Sequence, residues 1–308
     1  MPRGRTLERN QTALERQEEA QARAAAAAYR QARREILDLL LTQWTGTRAL
    51  TPRDAVELWR RLALLPQIDA RLHELEQRLG VVLRDVVTNA GELAVEQILR
   101  ELAELPPSFR PPVGAFAQIE EMMVEQFVPV AMQEITQIQR STSMLLQREI
   151  QTGLLQGQSF PDLVRRLMAA TPSGEGPAVW RNGELSAERM VRRTVITANN
   201  AAKQEAIRQT NRTAQVDSER VQKQAVASVG PRTTQTCLRV HGQIQPVDGL
   251  FELTGEPRFA RRMAHPAFHW NCRTSVAMYH PFFERGGLTT ANMRSSAAAE
   301  LRRRDGGG

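Results

Sequence analysis

From Thr6 to Thr45 the chain contains neither proline nor glycine. Nothing in that stretch interrupts a helix, and Arg and Glu interleave at spacings that permit i,i+4 pairs. The pattern predicts one long helix over 6–45. Its first half, "RTLERNQTALERQEEAQARAAAAAYRQARRE", is nearly polar all round. A helix of that kind is a solvent-bridging arm, orders against a partner, or frays as a terminus. Apolar residues gather only from Ile36 to Trp44. Composition agrees with a helical chain: aromatics are only 5%, good helix formers abound, and a hydrophobic fraction of 41% still permits a packed core.

Further helices follow. Thr51 reads as an N-cap with Pro52 in the first turn, opening a helix that ends near Leu65–Pro66. The next runs from about Gln67 to Leu105, with Ile68, Leu72, Leu75, Leu79, Leu83 and Val86 in one apolar stripe. The prolines of "LPPSFRPPVG", 105–114, stop it, and a hinge or domain boundary is expected there. A helical run over about 115–155 should be kinked by Pro129, with Met122, Met123, Met132 and Met144 as adaptable core filler. A Gly157 break and a Ser159 cap precede a short helix. After a loop over 171–184, Ser186 caps the helix "AERMVRRTVITANNAAKQEAIRQT".

Beyond about residue 212 the periodicity changes. "RVQKQAVASVG" alternates as a strand does, with Val221, Ala225, Ala227 and Val229 as candidate inward positions. The stretch 230–285 is turn-rich and holds both cysteines. The fold class expected is mainly α, with long N-terminal helices, a helical central region and a small C-terminal α+β domain. The expected divisions are a docking region over 1–112, a central helical region over 113–215, a Cys/His domain over 216–285 and a flexible basic tail over 286–308.

Charge and cysteine count exclude several classes. Net charge is +7, which favours polyanionic partners or is an ordinary solvated surface. Two cysteines make no disulfide framework. No apolar run reaches the roughly 20 residues that span a bilayer, and "AAAAA" at 24–28 is too short and weakly apolar for a signal segment. Action on the cytosolic side is the expectation.

The chemistry-bearing residues sit late. His269 and Cys272 have HxxC spacing, and Cys237 and His241 have CxxxH spacing, each able to present two ligands from one turn. The four can form a tetrahedral Cys2His2 zinc site. The alternatives are a buried pair of free thiols or a Cys237–Cys272 disulfide. Cys272 as a nucleophile with His269 as base matches no hydrolase motif.

The segments "RTTQTCLRVHG" and "HPAFHWNCRTSV" resemble the phage Mu F-like minor head proteins, a head-morphogenesis family of tailed bacteriophages. Arg232, Thr233, Cys237, His241, Gly242, Pro266, His269, Cys272 and Arg273 fit that family's C-terminal pattern. Arg193, Thr194, Asn200 and Ala202 fit its preceding helix, and "LLQGQSFPDLVRRL" its Gly-x-Ser helix start. The similarity covers about 145–280. Two family cysteines are Thr234 and Thr274 here. The resemblance implies a structural minor capsid protein of the virion, made in the host cytoplasm. It would have portal and capsid proteins as partners, without catalytic residues, membrane or small-molecule substrate. Packaged DNA is a further partner to expect, with Arg302, Arg303 and Arg304 as phosphate contacts. Two other readings stand beside it: a head-domain protein carrying a toxin-like enzymatic activity, and a non-specific helical DNA-binding protein. Against the first, residues 1–140 offer His73 but no Cys and no Gly-rich loop. Against the second, no recognised DNA-binding module is evident and aromatics are few.

Overall fold

A computed structural model describes residues 3–44, 64–156, 158, 162–163, 167, 179–213, 220–255, 257–285 and 289–305. The helix expected to open at Thr51, the Gly157 break and the Ser159 cap lie outside them. The long helices are α1 (Arg3–Trp44), α2 (Leu64–Leu102), α3 (Ile119–Leu155) and α4 (Val179–Thr213). After α4 come β1 (Gln222–Ala227), the short α5 (Gln235–Val240), β2 (Ile244–Gln245), β3 (Phe251–Glu252), β4 (Arg262–Met263), β5 (Thr274–Tyr279) and α6 (Thr290–Asp305). The mainly α class with a small C-terminal α+β part is therefore observed.

The chain divides into two compact units. One comprises Gln21–Leu83 and Pro129–Val191 and is helical. Its core takes Ala25, Ala26, Tyr29, Ala32, Ile36 and Leu40 from α1 and the stripe Ile68, Leu72, Leu75, Leu79 and Leu83 from α2. The alanine run is thus a packing surface, where small side chains let helices approach closely. At Gly183 a Cβ would lie 2.7 Å from the Tyr29 ring and 3.0 Å from Thr142 Oγ1.

The other unit comprises Met1–Ala20, Arg84–Val128 and Arg192–Gly308. It holds a three-stranded antiparallel sheet in the order β2-β1-β5, with Gln222 opposite Tyr279 and Ala227 opposite Thr274. β3 and β4 form a separate ladder. One core joins α2 residues Val87 to Leu102, Leu105, Phe109, Phe116 and Ile119 to α4 residues Ile196 to Ile207 and the sheet residues Ala225 and Val276.

Several expectations are corrected. The start of α1 is no frayed arm: Arg3 is 5% exposed and donates to Gln224 Oε1 at 2.7 Å and to the Met278 carbonyl at 2.9 Å. Its polar residues bind polar atoms of the sheet, so polarity did not mean solvation. The proline-rich 105–114 is no boundary, because Leu105, Phe109 and Phe116 bury into the core shared by its neighbours. The helical run expected to contain Pro129 is, by contrast, present as α3. Met123 is buried, but Met122 and Met144 are exposed. α4 begins at Val179 rather than Ser186, since buried Val179 and Trp180 outweigh the weak helix propensity of Asn182 and Gly183. Val229 lies beyond the end of β1 and is exposed, whereas Val221, Ala225 and Ala227 are buried. The expected flexible tail is largely α6, held by Arg304, which donates at 2.6 Å to the carbonyls of both Thr233 and Gly230.

Candidate functional site

The site is built on α5. Thr234 caps this helix, its Oγ1 accepting the Cys237 amide at 3.3 Å. The cap directs Cys237 inward, where it is 1% exposed. The partner residues arrive just before β5. Asn271, with φ 57°, makes the left-handed step between His269 and Cys272 that Asn tolerates better than most residues. Cys272 is 0% exposed and His269 is 7% exposed.

Cys237 Sγ lies 2.9 Å from His269 Nε2 and 3.7 Å from Cys272 Sγ. Thr234 Oγ1 is also 2.9 Å from His269 Nε2. The other ring nitrogen, Nδ1, lies 2.7 Å from the Trp270 carbonyl oxygen, which accepts its proton. That carbonyl orients the ring and leaves Nε2 facing the sulfurs. Trp270 is in turn covered by the Arg193 guanidinium, 4.7 Å from its ring centre, and by Phe259 edge-on at 5.3 Å. The helix segment around Arg193 and the HxxC turn are therefore in direct contact.

The two thiols differ electrostatically. The hydrogen bond with Cys272 outweighs burial and, with His269 and Thr234, holds the Cys237 thiol well below the usual thiol range. Burial, followed by the neighbouring Cys237, pushes Cys272 well above the usual thiol range. Backbone hydrogen bonds from Phe268 and Thr274 to Cys272 act the other way. At His269 burial favours the neutral ring, but the bond to Cys237 and its charge raise the imidazole overall.

Not all sequence candidates join. His241 sits at the C-cap of α5, outside the Cys237, His269 and Cys272 group. Its Nδ1 accepts the Ala227 amide at 2.9 Å, and burial lowers its pKa to about 4. Gly242 has φ 78°, and its amide donates to the Ala225 carbonyl at 2.8 Å. A Cβ there would lie 3.2 Å from Arg294 Cγ and 3.3 Å from Met293 Cβ, so glycine lets α6 pack against the turn. Thr233 is buried and donates its hydroxyl to the Ser228 carbonyl; Pro266 is buried and Arg232 exposed. Arg273 is exposed, and its contribution is its carbonyl, which accepts the Ser228 amide at 3.1 Å. This backbone link extends the β1–β5 pairing. Arg303 and Arg304 both pair with Glu300.

Sequence reasoning missed the buried polar residues behind β5. Lys203 is 1% exposed, and its Nζ donates to the Val276 carbonyl at 3.1 Å. Glu101 is 3% exposed; Oε1 accepts from Asn10 at 2.9 Å and Oε2 from the Met278 amide at 2.6 Å. Asn200 Oδ1 accepts the Val276 amide at 2.5 Å. Among these only Asn200 carried a signal, through the motif helix.

Residues 145–277 match the model of a family described as Phage Mu protein F like protein. The matched range contains α4, Cys237, His269 and Cys272 and stops before α6. No curated protein and no solved structure matches the chain.

Proposed function

We propose that this chain, phage Mu F-like over residues 145–277, is a head-morphogenesis protein that acts as a minor structural component at the portal vertex or inner capsid. The observation that carries the reading is the family match, because the cysteine cluster and all of the sheet but the last two residues of β5 fall inside it. A structural role suits the site. Cys237 is paired with a base 2.9 Å away, as a nucleophile would be, but the sulfur is 1% exposed. No described helix is long and apolar enough to cross a membrane. The proposed setting is the assembling head in the host cytoplasm and then the virion, with portal and capsid proteins as partners. Packaged DNA is the proposed further partner, through the exposed Arg302 and Arg303 of α6.

Mass spectrometry of purified particles should find the chain at low copy number, and a tagged chain should bring down the portal protein from assembling heads. Particles in which portal is well detected and this chain is not would overturn the virion role. Recovery in particles without portal capture would move the site from the vertex to the shell.

A further inference from the structure

We propose that Cys237, His269 and Cys272 form a three-ligand site for a zinc ion, with the fourth position opening beside Thr234. The three ligand atoms lie within 4.8 Å of one another, and all three residues are buried. With sulfur–zinc bonds of about 2.3 Å, two thiolates on a tetrahedral ion stand about 3.8 Å apart. The observed separation is 3.7 Å, against about 2.05 Å in a disulfide. The sulfur–nitrogen pair, at 2.9 Å, would open to roughly 3.6 Å around the same ion.

Three independent features support a metal rather than a pair of buried thiols. The His269 ring is held by Nδ1 on the Trp270 carbonyl, the outer-shell bond that metal-ligating histidines commonly make. Cys272 receives backbone hydrogen bonds from Phe268 and Thr274, donors that suit a thiolate better than a thiol. Two thiolates and a neutral imidazole balance a divalent ion, so the buried complex carries no net charge. Thr234 is exposed while its Oγ1 lies 2.9 Å from His269 Nε2, which gives the ion a route in and leaves a water or the hydroxyl as fourth ligand. His241 is outside the set because its Nδ1 already serves the Ala227 amide. On binding, the ion displaces the protons remaining on Cys272 and on His269 Nε2 and loses its own waters; no electron is transferred.

The test uses the full chain, untagged, purified under reducing conditions after growth with added zinc. Elemental analysis should find about one zinc per chain, and X-ray absorption at the zinc edge should show two sulfur neighbours near 2.3 Å. His241→Asn should keep the zinc. Cys272→Ser should lose it, and because that variant can also misfold, Thr234→Cys supplies the opposite arm. A third thiolate at this exposed position should slow zinc removal by a chelator at least about tenfold, with cobalt(II) substitution reporting the added sulfur in its charge-transfer band. Wild-type chain without zinc and with two titratable thiols would overturn the proposal. So would a chain 2 Da lighter with a Cys237–Cys272 disulfide, a bound zinc without sulfur neighbours, or Thr234→Cys with unchanged zinc release.

Discussion

His241 and His269 flank the same short helix and its turn, yet their surroundings separate them. His269 faces thiols, whereas His241 is surrounded by core and held neutral, with its pKa lowered to about 4 by burial. An unfolded histidine titrates near 6.5, so between that pH and about 4 the unfolded chain takes up a proton that the folded chain refuses. The stability this residue contributes is present above pH 6.5 and is lost as pH falls toward 4, by up to about 3 kcal/mol. In His241→Asn the side-chain oxygen can accept the Ala227 amide without titrating. Urea midpoints measured from pH 7 to 4.5 should therefore fall less steeply in the variant than in the parent. Parallel slopes would remove His241 from the acid response.

At the scale of elements, β5 is anchored by a polar set from α1, α2 and α4. Glu101 is the centre, since both carboxylate oxygens accept, one from Asn10 and one from the Met278 amide. Burial raises its pKa, opposed by Lys203, while burial lowers Lys203 to about 8. Glu101→Gln would turn an amide NH2 toward a donor and should destabilise by about 1–3 kcal/mol. Calorimetry together with amide exchange at Met278 measures this, and unchanged protection there would argue against the anchor. In the helical unit, Gly183→Ala sets a gain in helix propensity of about 1 kcal/mol against overpacking of about 1–3 kcal/mol on the Tyr29 ring. Tyr29 is 2% exposed and cannot swing into solvent, so the expected outcome is a lower melting temperature. A variant at least as stable as the parent would show that α1 and α4 can separate there at little cost.

For the molecule as a whole, the excess of positive charge has to be read from the surface rather than the composition. Several basic residues are internal: Arg3, Lys203 and Lys223 are buried, and Arg304 is a staple between α6 and the turn at Gly230–Thr233. Exposed Arg302 and Arg303 can meet phosphates without disturbing that staple. If the chain holds packaged DNA there, the double substitution Arg302→Gln, Arg303→Gln should weaken binding equally across sequences. It should also reduce the salt slope by about 2. Arg304→Ala should instead lower stability and loosen residues 230–233, seen as faster amide exchange at Thr233. An unchanged slope in the double variant would take α6 out of any DNA contact.

The sequence by itself determined the long helices, because uninterrupted runs of helix formers with an apolar stripe have few other ways to bury their surface. The stripe of α2 and the inward face of β1, apart from Val229, were legible for the same reason. The spacing of cysteines and histidines marked the late turn region and offered four ligands, but left open which of them meet. Only the tertiary structure decided that His269 turns toward Cys237 while His241 turns toward β1. Three further features also waited on it: the Arg3 and Glu101 partners of β5, the burial of Leu105 and Phe109 in the loop at 105–114, and the helical α6. The physical reason is common to all of them. Local pattern reports what one element must bury, whereas a polar side chain is settled by whichever distant backbone group needs a partner, and that pairing exists only once the elements have packed.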